Sequence, residues 1–561
     1  MDADAPESRP PHGPPAAPAA SIGAAVRATS LVTLASRVGG LARDLLVGLM
    51  FRDTALGTAF ANAFAIPNLF RRLFGEGALS AAFIPEYTRA LKTDRAAAGR
   101  LASLTILWLG IATSLLTVLG ELVLLVLLFT LPRDPDRETA IGLTMTMLPF
   151  MPLICAAAVM SGMLQVHGRF GPAASGPLIL NAFIIGVGLW FVLRHEVAGT
   201  GAAYAIGVAT TLSGGSQVWW FVRLLRADVA WTRATAPARP AARAMLGRFI
   251  PVMIGAGTLQ LNALMDIAIA SYTLWVGPTL LGRPYPLDDT SGSILALTSR
   301  LYQFPLGVFG IAVASAIFPL LSRHADEPTA FIHTLRRGVR LSLFIALPAS
   351  IGLILVRHDA VAVLVPTYSA VGKLRCADVL LGFAPGVWAY SLNHVLTRAF
   401  YALGDTRTPM RIALAMVAVN FALNITLIWW LREAGLAWST SISAVLQTVV
   451  LWNVLGRRLR RAPGPHDPAA EPHAWNAETT AAVLRLIALG AAMAAAVLAL
   501  LWAWPIDPAA AAWTDRAGAL WRSQGLRALA ATALGAAVYG GGALAWRLQE
   551  LHWLLPRARA R

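Results

Sequence analysis

The chain has 561 residues, of which 57% are hydrophobic and 13% charged, with a mean hydropathy of +0.61; soluble domains carry about 45–50% apolar and about 25% charged residues. That excludes a disordered chain, a disulfide scaffold and an ordinary soluble enzyme, and describes an all-α polytopic membrane protein. The net charge of +17 is almost entirely arginine, Lys92 and Lys373 being the only lysines, and basic cytoplasmic loops explain it better than a nucleic-acid partner does.

Residues 1–24 are rich in Pro and Ala and contain Asp2, Asp4 and Glu7. Without a basic start or compact apolar core they are no secretory signal, and they read as a disordered cytoplasmic tail. Beyond them, apolar stretches recur at the length of about 20 residues that crosses about 30 Å of hydrocarbon. About fourteen spans are expected, near 26–51, 55–84, 101–131, 139–165, 172–194, 200–223, 247–277, 291–322, 335–356, 376–403, 409–431, 436–456, 480–503 and 526–548.

Arginine clusters follow the second span (Arg89, Arg95, Arg100), the sixth (Arg223, Arg226, Arg233, Arg239, Arg243), the eighth (Arg323, Arg336, Arg337) and the twelfth (Arg457, Arg458, Arg460, Arg461). Basic loops on every second connection put both termini in the cytoplasm. The two cysteines, Cys155 and Cys376, offer neither a disulfide framework nor metal spacing.

The chain repeats itself. The run Gly77 to Pro85 followed by Arg89 is answered by Gly310 to Pro319 followed by Arg323, and Asn181 with Arg194 by Asn420 with Arg432. Each repeat holds six helices, so the copies run parallel, with their symmetry axis along the membrane normal. The expected organisation is a lobe over 25–228, a linker over 229–246, a second lobe over 247–461 and a linker over 462–479. A pair of extra helices over 480–550 and a basic tail over 551–561 complete it.

Some charges lie inside the apolar stretches. The first span holds Ser36, Arg37, Arg43 and Asp44, the second Asn68, Arg71, Arg72 and Glu76, and the eighth Arg300. On a helix Asn68, Arg71, Arg72 and Glu76 share one stripe. Seven charges facing lipid would cost on the order of 20 kcal/mol, more than a typical folding stability. They must face a wet cavity. Ion pairing accounts for some of them, but five arginines outnumber two carboxylates. Arginine stays charged when desolvated, and its planar fork suits phosphate oxygens. The cavity reads as a phosphate or pyrophosphate site.

Asp266, in the seventh span, is either a Na⁺- or proton-binding carboxylate or the partner of an arginine from another helix. Asn393 and Thr397, one turn apart on the tenth span, offer oxygens to Na⁺ or hydrogen bonds to a neighbouring helix. Glu121 has no assignable role. The scattered histidines form no metal or nucleophile constellation, so no cofactor is expected beyond Na⁺ or H⁺ coupling and the membrane potential.

The segments Ser36–Asp44, Ile66–Ser80, Ser299–Val308 and Phe400–Pro409 resemble the MurJ (MviN) family of lipid II flippases. The resemblance covers about residues 26–460. It implies a fold of the multidrug/oligosaccharidyl-lipid/polysaccharide exporter type, with two six-helix lobes around a cationic cavity and a final helix pair forming a polyprenyl groove. It further implies that Ser36, Arg37, Arg43, Asp44, Asn68, Arg71, Glu76 and Arg300 line the cavity or its gate. Two departures stand out: Thr58 where the family has an acidic residue, and an outward insertion over 282–289.

The expected function is movement of lipid-linked peptidoglycan precursor to the outer leaflet of a bacterial cytoplasmic membrane by alternating access. Expected partners are lipid II, membrane lipids and cell-wall synthesis proteins. The rivals are an exporter of other lipid-linked sugars or of drugs, and a membrane-embedded glycosyl- or phosphotransferase. Five arginines argue against a cavity for cationic drugs, and no acid/base pair or metal-binding carboxylate cluster supports an enzyme.

Overall fold

The computed structural model describes residues 19–75, 78–195, 199–306, 310–461, 475–506 and 517–554. Its first half runs α1 (Ala19–Phe51), α2 (Ala55–Gly75), α3 (Ala78–Thr93), α4 (Arg95–Thr130), α5 (Pro135–Met147), α6 (Phe150–Val166), α7 (Phe170–Ala173), α8 (Gly176–Leu193) and α9 (Thr200–Leu225). The second half opens with α10 (Arg239–Ala270) and α11 (Tyr272–Trp275), then the short strands β1 (Thr279–Leu280) and β2 (Arg283–Pro284). It continues with α12 (Ser291–Pro305), α13 (Ile311–Arg323), α14 (Pro328–Leu364), α15 (Ala370–Phe383), α16 (Val387–Ala402), α17 (Arg407–Leu431) and α18 (Glu433–Arg461). Last come α19 (Ala477–Ala503), α20 (Ala517–Ala545) and α21 (Gln549–Leu554).

Nine helical stretches among the described residues are long and apolar enough to cross a membrane.

Helices α1–α9 pack largely among themselves around Phe60, Met147, Phe150 and Met151. A second core, with Phe331, Phe400, Leu451, Leu489 and Tyr539, joins α14, α16 and α18 to α19 and α20. The halves meet where α10 and α12 pack on α2.

The bundle is not purely helical. The insertion extends over 276–290, and β1 pairs antiparallel with β2 through a two-residue turn. Leu281 and Gly282 at the turn have φ of +51° and +78°, the left-handed pair that a tight hairpin of this hand demands. At its far end, Asp288 accepts from Arg375 at 2.9 Å and from Arg432 at 2.9 Å, and Arg375 also pairs with Glu433. Burial works to raise the Asp288 carboxyl, but the bonds from Arg375 and Thr290 outweigh it and hold it well below the usual carboxylate range.

Three further ion pairs fix α14 to the final helices. At one end Arg340 bonds Glu550 of α21 at 2.6 Å and Glu478 of α19 at 2.8 Å. At the other, Arg527 of α20 forms a bidentate pair with Asp359 at 2.6 and 2.9 Å and donates to the Trp504 carbonyl. Arg340 and Asp359 stand nineteen positions apart, about 28 Å along a helix, close to the thickness of the hydrocarbon layer.

Candidate functional site: a cationic cavity between the two halves

Two adjoining cavities lie between the halves. The larger, about 610 Å³, is lined by Ser36, Arg37, Arg43, Asp44, Asn68, Arg71, Arg72, Asn181 and Arg300 among others. The smaller, about 210 Å³, shares Asp44, Asn68, Arg72, Arg300 and Gln303 with it and extends past Asn62, Asp266, Ser293 and Tyr302. Eight of the nine cavity residues expected from sequence are thus assembled from three separate helices. Glu76 lies outside the described residues.

The central contact is ionic. Asp44 Oδ1 accepts from Arg43 Nε at 3.0 Å and from Arg43 Nη2 at 2.7 Å, while Asp44 Oδ2 lies 3.4 Å from Arg300 Nε. A third bond to Arg43 comes from Asn181 on α8, whose Oδ1 accepts from Nη1 at 3.2 Å. The Arg43 guanidinium also sits over the Phe64 ring at 5.0 Å, a cation–π contact. On α2, Arg71 Nε donates to Asn68 Oδ1 at 2.9 Å, one turn back.

Asp266 pairs with an amide, not an arginine. Asn424 Nδ2 donates to Asp266 Oδ1 at 2.6 Å and shares Asn420 Oδ1 at 3.2 Å. Asn424 Oδ1 and Asn420 Nδ2 are buried without a partner among the described residues. Asn393 and Thr397 are the other two residues with oxygens considered for Na⁺. Asn393 donates to the Ala444 carbonyl and accepts from Thr448, so its amide is committed to α18. Thr397 follows one turn on from it. Interhelical bonding was the other reading of these two residues.

Away from the arginines, the halves close at the end bearing the 276–290 insertion. Thr58 Oγ1 accepts from the Ser293 N–H at 3.0 Å, in the first turn of α12. Ser271 donates to Asn62 at 2.9 Å, and Asp53 accepts from the Ser369 N–H at 3.1 Å. Thr58 therefore caps the start of α12 with its hydroxyl, satisfying one of the open N–H groups of a helix start. Gly292 permits the approach: a Cβ there would lie 2.4 Å from Thr58 Cγ2.

Sequence reasoning missed Asn181 and Asn424 as site residues. The signal was present, since an amide within an uninterrupted apolar run needs a partner, but spacing does not say which helix supplies it. Chemically, the cavity presents guanidinium groups from both halves around one carboxylate, an arrangement with excess positive charge that suits a divalent anion.

The family model described as lipid II flippase MurJ matches residues 48–508. The chain is 30% identical over 454 residues to the probable lipid II flippase MurJ of Vibrio cholerae, covering 76% of this chain and 81% of that protein. It is 28% identical over 425 residues to that of Rickettsia prowazekii, covering 74% and 80%. Among solved structures, the lipid II flippase MurJ in an inward closed conformation superposes with a TM-score of 0.67 at 19% identity, over 91% of this chain and 98% of that one. An inward-facing multidrug resistance MATE family transporter of the MOP superfamily gives 0.59 at 14% identity, over 76% and 97%. These two likenesses bear on the fold. With the family match spanning most of the sequence, the chain belongs to the MurJ family of lipid II flippases, multi-pass membrane transporters rather than enzymes.

Proposed function

We propose that this flippase holds the pyrophosphate of lipid II between Arg43 and Arg300 and carries the head group across the membrane by alternating access. The observation that carries the reading is the meeting of both arginines at Asp44 inside the larger cavity, one from each half. An anion bound there bridges the halves and favours their closure. Arg37, Arg71 and Arg72 complete the cationic lining, with Ser36 and Asn68 as neutral hydrogen-bonding groups beside them.

In this reading the helices form fourteen spans, with lobes over 25–228 and 247–461 related by a parallel repeat, and 229–246 and 462–479 as linkers. The tails 1–24 and 551–561 are cytoplasmic, and the membrane is the bacterial inner membrane. The closed end near Thr58, Asn62 and Asp53 is the periplasmic side, so the conformation faces inward. The pair over 480–550 guides the polyprenyl chain along the C-lobe, to which the ion pairs of Arg340 and Arg527 fasten it. Asp266 with Asn424 and Asn420 is the site for a coupling Na⁺ or proton, supported by the two partnerless buried amide atoms beside it; Asn393 and Thr397 are helix-packing residues. One charge moved through the potential is worth about 2.3 kcal/mol per 100 mV, enough to bias a two-state equilibrium.

The test is transport of labelled lipid II by purified protein in vesicles, with Arg300→Ala beside the wild type. Relocation of unmodified lipid II that is lost in the variant supports the reading. Chemical modification of the lipid, or wild-type transport by Arg300→Ala at matched protein levels, overturns it.

A further inference from the structure

The repeats treat corresponding positions with opposite chemistry. Arg43 lies eight residues before the end of α1 at Phe51, and Asp266 nine before the end of α11 at Trp275, so within one residue they are equivalents. The longer offset seen later in the repeat follows from the connection after them: 52–54 in the first half, 276–290 in the second. Asn181 and Asn420, which correspond in sequence, each serve the charged residue of their own half. Asn181 bonds Arg43 directly, whereas Asn420 acts through Asn424 on Asp266.

Asn181 is built in on both sides. Its Nδ2 donates to the Ser36 carbonyl at 3.1 Å, about two turns before Arg43 on α1, and the residue is 4% exposed. Gly39 leaves room for this: a Cβ there would lie 3.3 Å from Asn181 Nδ2. With its amide N–H fixed on the backbone, the amide oxygen must face Arg43. Guanidinium has five N–H groups. Asp44 takes two and Asn181 a third, which orients the fork and leaves two for a ligand in the cavity. A carboxamide does this without cancelling charge; a second carboxylate would compete with the anion for the fork.

We propose that Asn181 is a positioning residue for the flippase's anion clamp, setting the plane of the Arg43 guanidinium toward the pyrophosphate while leaving its charge available. This rests on the pyrophosphate reading above. The experiment uses the full chain in lipid nanodiscs and lipid II as the probe, with affinity and melting temperature measured for Asn181→Ala, Arg43→Ala and the double variant. Loss of one orienting hydrogen bond predicts a fall of about 3- to 12-fold in affinity for Asn181→Ala. In the Arg43→Ala background the same change should cost nothing further. Asn181→Asp, which keeps the size and the acceptor, should weaken binding at least as much, and serves if the alanine variant does not fold. Losses that add in the double variant, or wild-type affinity in both Asn181 variants while Arg43→Ala binds weakly, overturn the positioning role and leave the pyrophosphate reading intact. Wild-type affinity in both Arg43→Ala and Arg300→Ala overturns both.

Discussion

Arg300 Nε lies 3.4 Å from Asp44 Oδ2, so a guanidinium on α12 and a carboxylate on α1 meet between the two halves of the bundle. Asp44 is already bonded through Oδ1 to its neighbour Arg43. One carboxylate shared by two arginines leaves the cluster positive, and that net charge gives a diffusible anion its reason to enter. A fork that contacts phosphate edge-on depends on planarity as well as charge. Arg300→Lys is therefore expected to leave lipid II binding well short of wild type, and Arg300→Ala to lose about 1.5–3 kcal/mol, or roughly 10- to 150-fold. Titration of both variants with lipid II checks this; full rescue by lysine would reduce Arg300 to a point charge.

At Asp266 the expected outcome concerns ion dependence. Asp266→Asn keeps the shape and removes the charge next to Asn424. Transport should fold normally into vesicles yet lose its dependence on Na⁺, pH or potential, measured as flipping rate under imposed gradients. An unchanged dependence would make the Asp266–Asn424 bond a helix tie only.

The rim offers a steric lever. Alanine at Gly292 would drive a methyl to 2.4 Å from Thr58 Cγ2 and 3.0 Å from Ser271 Oγ, forcing α12 off α2. In an Asn62→Cys/Ser271→Cys background, cross-linking should be efficient with Gly292 present and fall with Gly292→Ala. Equal yields would show that the helices slide without parting.

The Asp359 end of α14 tests the attachment of the final pair. Removing one partner of a buried ion pair costs about 3–5 kcal/mol, while replacing both by apolar residues is often neutral. Arg527→Leu should lower the melting temperature sharply, and adding Asp359→Leu should recover most of it. If the double variant is as unstable as the single, the Trp504 carbonyl bond to Arg527 is the larger contribution.

Orientation is testable in cells. Reporter fusions after Ala97 and after Ala236 should be cytoplasmic and one after Pro135 periplasmic, since arginine-rich loops stay inside. A reversed result at either basic loop would invert the assignment of the closed rim to the periplasm.

How much was legible beforehand differs by kind of feature. Membrane class and the cavity stripe of α2 were readable because each is local: composition is a sum, and Asn68, Arg71 and Arg72 share a helix face whatever surrounds them.

The sequence by itself determined that excess arginine must gather in a wet interior, because no arrangement of lipid-facing guanidinium groups is energetically affordable. Only the tertiary structure decided the partners. Asn181 reaches Arg43 across 138 positions, Asn424 reaches Asp266 across 158, and Arg340 finds Glu550 across 210, while Asn393 turns instead to α18. Helical periodicity specifies which face a residue occupies, but the neighbour on that face depends on how helices with interchangeable apolar surfaces are arranged in lipid, where close packing rather than hydropathy selects the contact.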